Sequence, residues 1–83
     1  MQVPKNLAEV VRFVHHVVFE LDANFHPDTD FRDYTKPNGT PSFDGEAADE
    51  LNAALAQAFE VCDLHKADIY DLTMPVMRAR LTA

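Results

Sequence analysis

The side chains with the means to do chemistry in this sequence are four histidines, one cysteine and a run of carboxylates, and their spacing decides which reactions are open. His26, Asp28, Asp30 and Asp33 form the densest group. Oxygen donors in a loop suit Ca²⁺ or Mg²⁺, and Asp28-Thr29-Asp30 has the opening of a calcium-binding loop. The pattern then breaks. Arg32 stands where the third acidic ligand belongs, Asp33 where glycine is required, and Gly39 where the bidentate glutamate should be. Turn-forming and capping aspartates are the better account of this group, so no metal ligand is assigned. His15 and His16 are adjacent and point about 100° apart on a helix, which prevents them from sharing an ion. His16 lies four residues from both Arg12 and Glu20, the spacing of ordinary surface pairs. His65 falls near a helix C-terminus, where its charge is favourable. The candidate nucleophiles are Cys62 and Ser42; Cys62 sits on an apolar helix face, where a thiol is inert packing, and no histidine is placed beside it. A single cysteine excludes a zinc-binding spacing and an internal disulfide, and two glycines leave no phosphate-cradling loop. Catalytic and cofactor-binding residues are therefore not assigned, and no cofactor is expected.

The element that must position these groups is the apolar-periodic run over residues 7–25, LAEVVRFVHHVVFELDANF. With Val14 as centre, Leu7, Val10, Val11, Val17, Val18, Leu21 and Phe25 lie within about 60° on a helical wheel. Valine favours strands, but the pairs Val10/Val11 and Val17/Val18 recur seven apart and do not alternate, so the period predicts a helix over about 7–24. Asn6 is placed to cap it with Glu9 three residues on, and Asn24 to end it in the left-handed conformation, with Phe25 folding back on Phe19. Phe13 and Phe19 lie about 100° and 140° off the stripe, so each must meet another part of this chain or another chain.

The following segment, residues 25–43, is punctuated by Pro27, by the Pro37-Asn38-Gly39 turn and by Pro41. A structureless connection of this length is uncommon, which predicts a short helical turn over 29–34 that pins Phe31 and Tyr34 to the core. A second helix is expected over about 44–64, capped by Ser42 or Asp44, with Ala48, Leu51, Leu55, Ala58, Phe59 and Cys62 on one face. A third is expected over about 68–81, acidic at its start and basic at its end, and either kinked at Pro75 or split there with Thr73 as a new cap. The fold class is all-α. A hairpin of helices one and two, joined by a long ordered acidic loop, carries a proline-kinked third helix across it. Small size, acidity and a long first loop are similar to acyl carrier proteins, but the matching stretch reads Phe43-Asp44-Gly45-Glu46-Ala47, without the serine that carries the prosthetic arm. The resemblance is therefore one of architecture and implies no functional residue.

Charge narrows the function classes further. The net charge is −7, and residues 20–50 hold nine acids against Arg32 and Lys36, so that segment carries the whole imbalance. A partner for it should be cationic, and direct nucleic-acid binding is disfavoured because phosphate affinity comes from Lys and Arg. The same sign opposes a helix-turn-helix reading, since Asp68 and Asp71 would face phosphate. Membrane spanning and export are not indicated, and a cytoplasmic location is the expectation. A domain of 83 residues buries only about 60 to 65% of its unfolded surface, a size at which self-association adds stability. The sequence therefore reads as a small non-enzymatic protein-protein interaction or regulatory module, self-associating as a homodimer, with an acidic surface from residues 20–50. Phe13, Phe19, Met74 and Met77 are the candidate interface. Two alternatives stand beside it: a small metal-dependent or acid/base enzyme using His26 and the loop carboxylates, and an acidic nucleic-acid mimic that binds a basic protein.

Overall fold

A computed structural model describes residues 3–28 and 30–82. Three helices, α1 (Leu7–His15), α2 (Gly45–Leu64) and α3 (Ile69–Thr82), each pack on the other two, and no strand occurs among the described residues. The all-helical class and the long loop between α1 and α2 are as the periodicity predicts. Each helix opens on the side chain of a capping residue. Asn6 Oδ1 accepts the Glu9 amide at 2.9 Å, Asp44 Oδ1 that of Ala47 at 2.8 Å, and Asp68 Oδ1 that of Tyr70 at 2.8 Å. Of the two capping candidates for α2, the sequence alone could not choose; Asp44 is the one used.

The first helix departs from expectation at its C-terminal end. After His15 the chain widens into a π turn over His16–Glu20, in which the Leu21 amide reaches the His16 carbonyl five residues back at 3.0 Å. The helix then stops, four residues short of the predicted boundary. Asp22, not Asn24, takes the left-handed conformation, with φ 54°. Leu21, counted on the apolar stripe by the wheel, comes to lie at the surface, while Phe25 reaches the core from the loop. The wheel assumed a constant 100° step, and one wide turn breaks that phase. At the end of α2 the capping is regular: the Ala67 amide bonds the Cys62 carbonyl at 2.8 Å and the Lys66 amide that of Asp63 at 3.1 Å, with Lys66 at φ 54°.

The third helix runs unbroken through Pro75, so the split reading does not hold. Thr73, fully buried, does not cap a new helix. Its hydroxyl donates to the Ile69 carbonyl at 2.6 Å, one turn back within the same helix.

The core lies between these helices and is closed by the loop. Val10, Val14, Val17 and Val18 meet Leu51, Ala54, Leu55 and Ala58 of α2 and Ile69 and Val76 of α3. Over one side of them sits a 3₁₀ turn, Phe31–Asp33, which is the predicted short helical element; Thr29, its expected start, lies outside the described residues. Phe31 is 0% exposed. Its ring stacks on Tyr34 at 5.0 Å and meets Phe43, Phe13 and Phe25 at 5.8, 6.3 and 6.4 Å. Beyond it the chain turns back at Gly39, φ 86°, and closes a single antiparallel bridge between Thr35 and Pro41.

Two stability outcomes follow from these contacts. Phe31→Ala should cost about 3 to 5 kcal/mol, a large part of what a domain of this size has, read as a drop in the urea midpoint. Lys66→Gly should stabilise by about 1 kcal/mol, because glycine adopts positive φ without the Cβ clash, and an unchanged or lower midpoint would contradict the capping geometry.

Candidate functional site

The loop carboxylates do not converge. Asp30 Oδ1 accepts the Arg32 amide and the Asn52 side-chain amide, both at 2.8 Å, and the backbone bond followed by that of Asn52 holds its carboxyl below the usual range. Asn52 Oδ1 in turn accepts the Phe31 amide at 3.0 Å, so this one side chain of α2 grips the loop by two consecutive residues. Asp33 lies elsewhere, on the wall of an open groove. Asp28 is the aspartate of the group bonded to His26: its amide donates to His26 Nδ1 at 3.2 Å, and its carboxylate takes the hydroxyl of Tyr70 from α3. The His26 ring meets Tyr70 edge-on at 5.8 Å, and the His26 amide donates to the Tyr34 hydroxyl at 3.1 Å. Among the described residues there is no group of three or more side chains placed to hold a metal ion. As for general acid/base chemistry, the carboxylate next to His26 raises the Tyr70 phenol above its ordinary pKa, which makes it a poorer acid near neutrality.

The histidine pair separates as the helical geometry requires. His16 pairs with Glu20 one turn on, and the His15 ring lies against Phe19 with centroids 4.7 Å apart. Cys62 is buried, and burial pushes its thiol upward, away from the reactive thiolate.

Of the candidate interface residues, Phe13 requires correction. It is 6% exposed and packs edge-on against Phe31, because the loop folds back over the flank of α1 that the helix stripe alone leaves bare. It is covered by the loop and is not an exposed anchor for a second chain, though it lines a cleft beside α1. Phe19 remains 40% exposed, while Met74 and Met77 are half-buried, the latter against the core. Among the described residues the most exposed large hydrophobic side chains are Leu64 and Leu81, at 79% and 84%, neither of which the interface reading included.

Three residues that organise this side of the molecule were not singled out by type or spacing: Asn52, Tyr70 and Arg80. Arg80 crosses from the end of α3 to the end of α1. It donates to the Val18 carbonyl and to Asn24 Oδ1, both at 2.7 Å, and to Asp22 Oδ1 at 2.9 Å. A groove of about 900 Å³ opens beside it, walled by Leu21, Ala23, Tyr34, Lys36 and Asp33. A smaller cleft of about 430 Å³ runs along α1 and the π turn, from Glu9 to Glu20, with Val3 and Pro4 beside it. No helix among the described residues is long and apolar enough to cross a membrane. The chain matches no protein-family model, and no curated protein or solved structure is significantly similar to it.

Both tyrosines are shifted upward, Tyr34 by burial and Tyr70 by the Asp28 carboxylate. Each therefore supports the fold while protonated, and that support is lost as pH rises from the ordinary phenol value through the folded one. In an alkaline absorbance titration, Asp28→Asn should bring one of the two tyrosine transitions down toward the ordinary phenol value and leave the other in place. Superimposable curves would show that the Asp28 contact does not form in solution.

Proposed function

We propose that this chain is a small non-enzymatic protein-protein interaction module that offers an acidic face to a cationic partner and self-associates as a homodimer through exposed apolar side chains. The observation that carries the reading is that all nine carboxylates of residues 20–50 lie at the surface. Several are occupied within the chain: Glu20 by His16, Asp22 by Arg80, Asp49 by Arg32, Asp28 by Tyr70, and Asp30 and Asp44 by backbone amides. Asp33, Glu46 and Glu50 make no ion pair or side-chain hydrogen bond among the described residues, so their charge faces outward. A surface of this sign raises the encounter rate with basic partners and repels phosphate. Self-association draws its support from Phe19, Leu64 and Leu81, large apolar groups at the surface of a domain with a small core.

The test is calorimetric titration with a lysine-rich peptide at low salt. Binding should be saturable, and should be lost at about 0.5 M salt, where the screening length falls below ~5 Å. A triple variant Asp33→Lys, Glu46→Lys and Glu50→Lys, all at exposed positions, should abolish it with the helical spectrum unchanged. Equal binding by the variant would remove the acidic face from the function. Sedimentation equilibrium at tens of micromolar reads the second part, and a monomer there would remove the dimer.

A further inference from the structure

The cleft against α1 has features that the acidic-face reading does not use. Its floor is apolar, made by the buried Pro4 and Phe13 with Val3 at the rim. Its volume, about 430 Å³, falls in the range of small-ligand pockets. Four ionisable side chains from about three successive turns line the rim with Arg12: Glu9, His15, His16 and Glu20. Both acids already have partners, Glu9 through the Lys5 amide at 3.0 Å and Glu20 through His16. Arg12 makes no ion pair or side-chain hydrogen bond among the described residues, and the His15 ring lies against that of Phe19. The π turn begins at this cleft, and it is here that Phe19 rests on His15 and Glu20 on His16. Such wide turns recur at functional sites.

The geometry points to a binding site for a small monocarboxylate with a flat apolar body, its carboxylate on Arg12 and its body against Pro4 and Phe13. A planar guanidinium presents a fork of donors that matches a carboxylate in two parallel hydrogen bonds. Two acids at the rim set the charge limit. With one guanidinium against two carboxylates the rim repels anions overall, so a ligand gains only from the Arg12 fork and from burying an apolar body. A phosphate dianion, which lacks that body and meets doubled repulsion from Glu9 and Glu20, is disfavoured. The apolar floor excludes small hydrophilic acids by giving them nothing to gain from burial.

Benzoate is the probe. Titrated into the full chain at constant ionic strength and followed by amide NMR, it should give saturable shifts confined to residues 3–20. Acetate and inorganic phosphate should give none that saturate in the same range. Arg12→Gln, at an exposed position that leaves the core untouched, should weaken benzoate binding at least about tenfold, the loss expected when a charge-assisted hydrogen bond goes. Arg12→Lys, which keeps the charge and loses the fork, should fall between. Three results would each overturn the site: no saturable shift with benzoate, an equal response to benzylammonium, or unchanged affinity in Arg12→Gln. A stronger response to phosphate than to benzoate would overturn the carboxylate assignment.

Discussion

The burial of Phe31 is the contact on which the rest of this fold depends. An 83-residue chain with a connection of more than twenty residues between its first two helices has little apolar surface to spare. Phe31 turns that connection into part of the core, with rings from α1, from the loop itself and from the approach to α2 around it. Its backbone is held as firmly as its ring. The Phe31 amide would be costly to bury unpaired, and Asn52 satisfies it while bonding Asp30 through the other end of the same amide group. One side chain of α2 therefore sets both the position and the direction of the 3₁₀ turn. The Tyr34 hydroxyl continues the arrangement by taking the His26 amide, so that the aromatic cluster also organises the polar backbone around it.

A second long-range constraint acts at the end of the first helix. The π turn leaves the Val18 carbonyl without a regular intrahelical partner, since the Ala23 amide goes to Val17 at 3.1 Å. Helix C-termini carry excess negative potential, and Arg80 supplies positive charge together with directed donors at that point. The same guanidinium reaches Asn24 and Asp22 and so fixes the first residues of the loop. Arg80 also explains how α3 is docked beyond its short buried stripe of Ile69, Thr73 and Val76. Its charge suits the C-terminal end of its own helix as well, so one residue serves two helix ends.

The carboxylates of residues 20–50 divide by the bonds they make. Asp30 and Asp44 close local turns, Asp28 and Asp22 tie the loop to α3, and Asp49 meets Arg32 across the loop and α2. The shape of the loop is thus built largely from acids, and the excess that remains is turned outward. This division accounts for a strongly acidic segment that is nevertheless ordered: most of its charges have a donor nearby, and the aromatic cluster supplies the apolar burial that a purely polar segment lacks.

Sequence alone was sufficient for the features that depend on local periodicity and on single residues. The three helices, the Asn6 cap, the turn at Gly39 and the 3₁₀ element with its two anchoring rings follow from spacing and side-chain chemistry within a few residues. The separation of His15 from His16 follows from the helical step in the same way. Features that depend on groups distant in the chain were decided only by the tertiary structure. Phe13 looked unpartnered because the residue that covers it, Phe31, lies eighteen positions away in a loop. The early end of α1 and the exposure of Leu21 come from one wide turn, which no hydrophobic period encodes. Asn52, Tyr70 and Arg80 are ordinary helix residues in the sequence, and their roles arise from partners 22, 42 and 62 residues away. A side chain's type records what it can bond, whereas the identity of its partner is set by which backbone the folded core brings within reach.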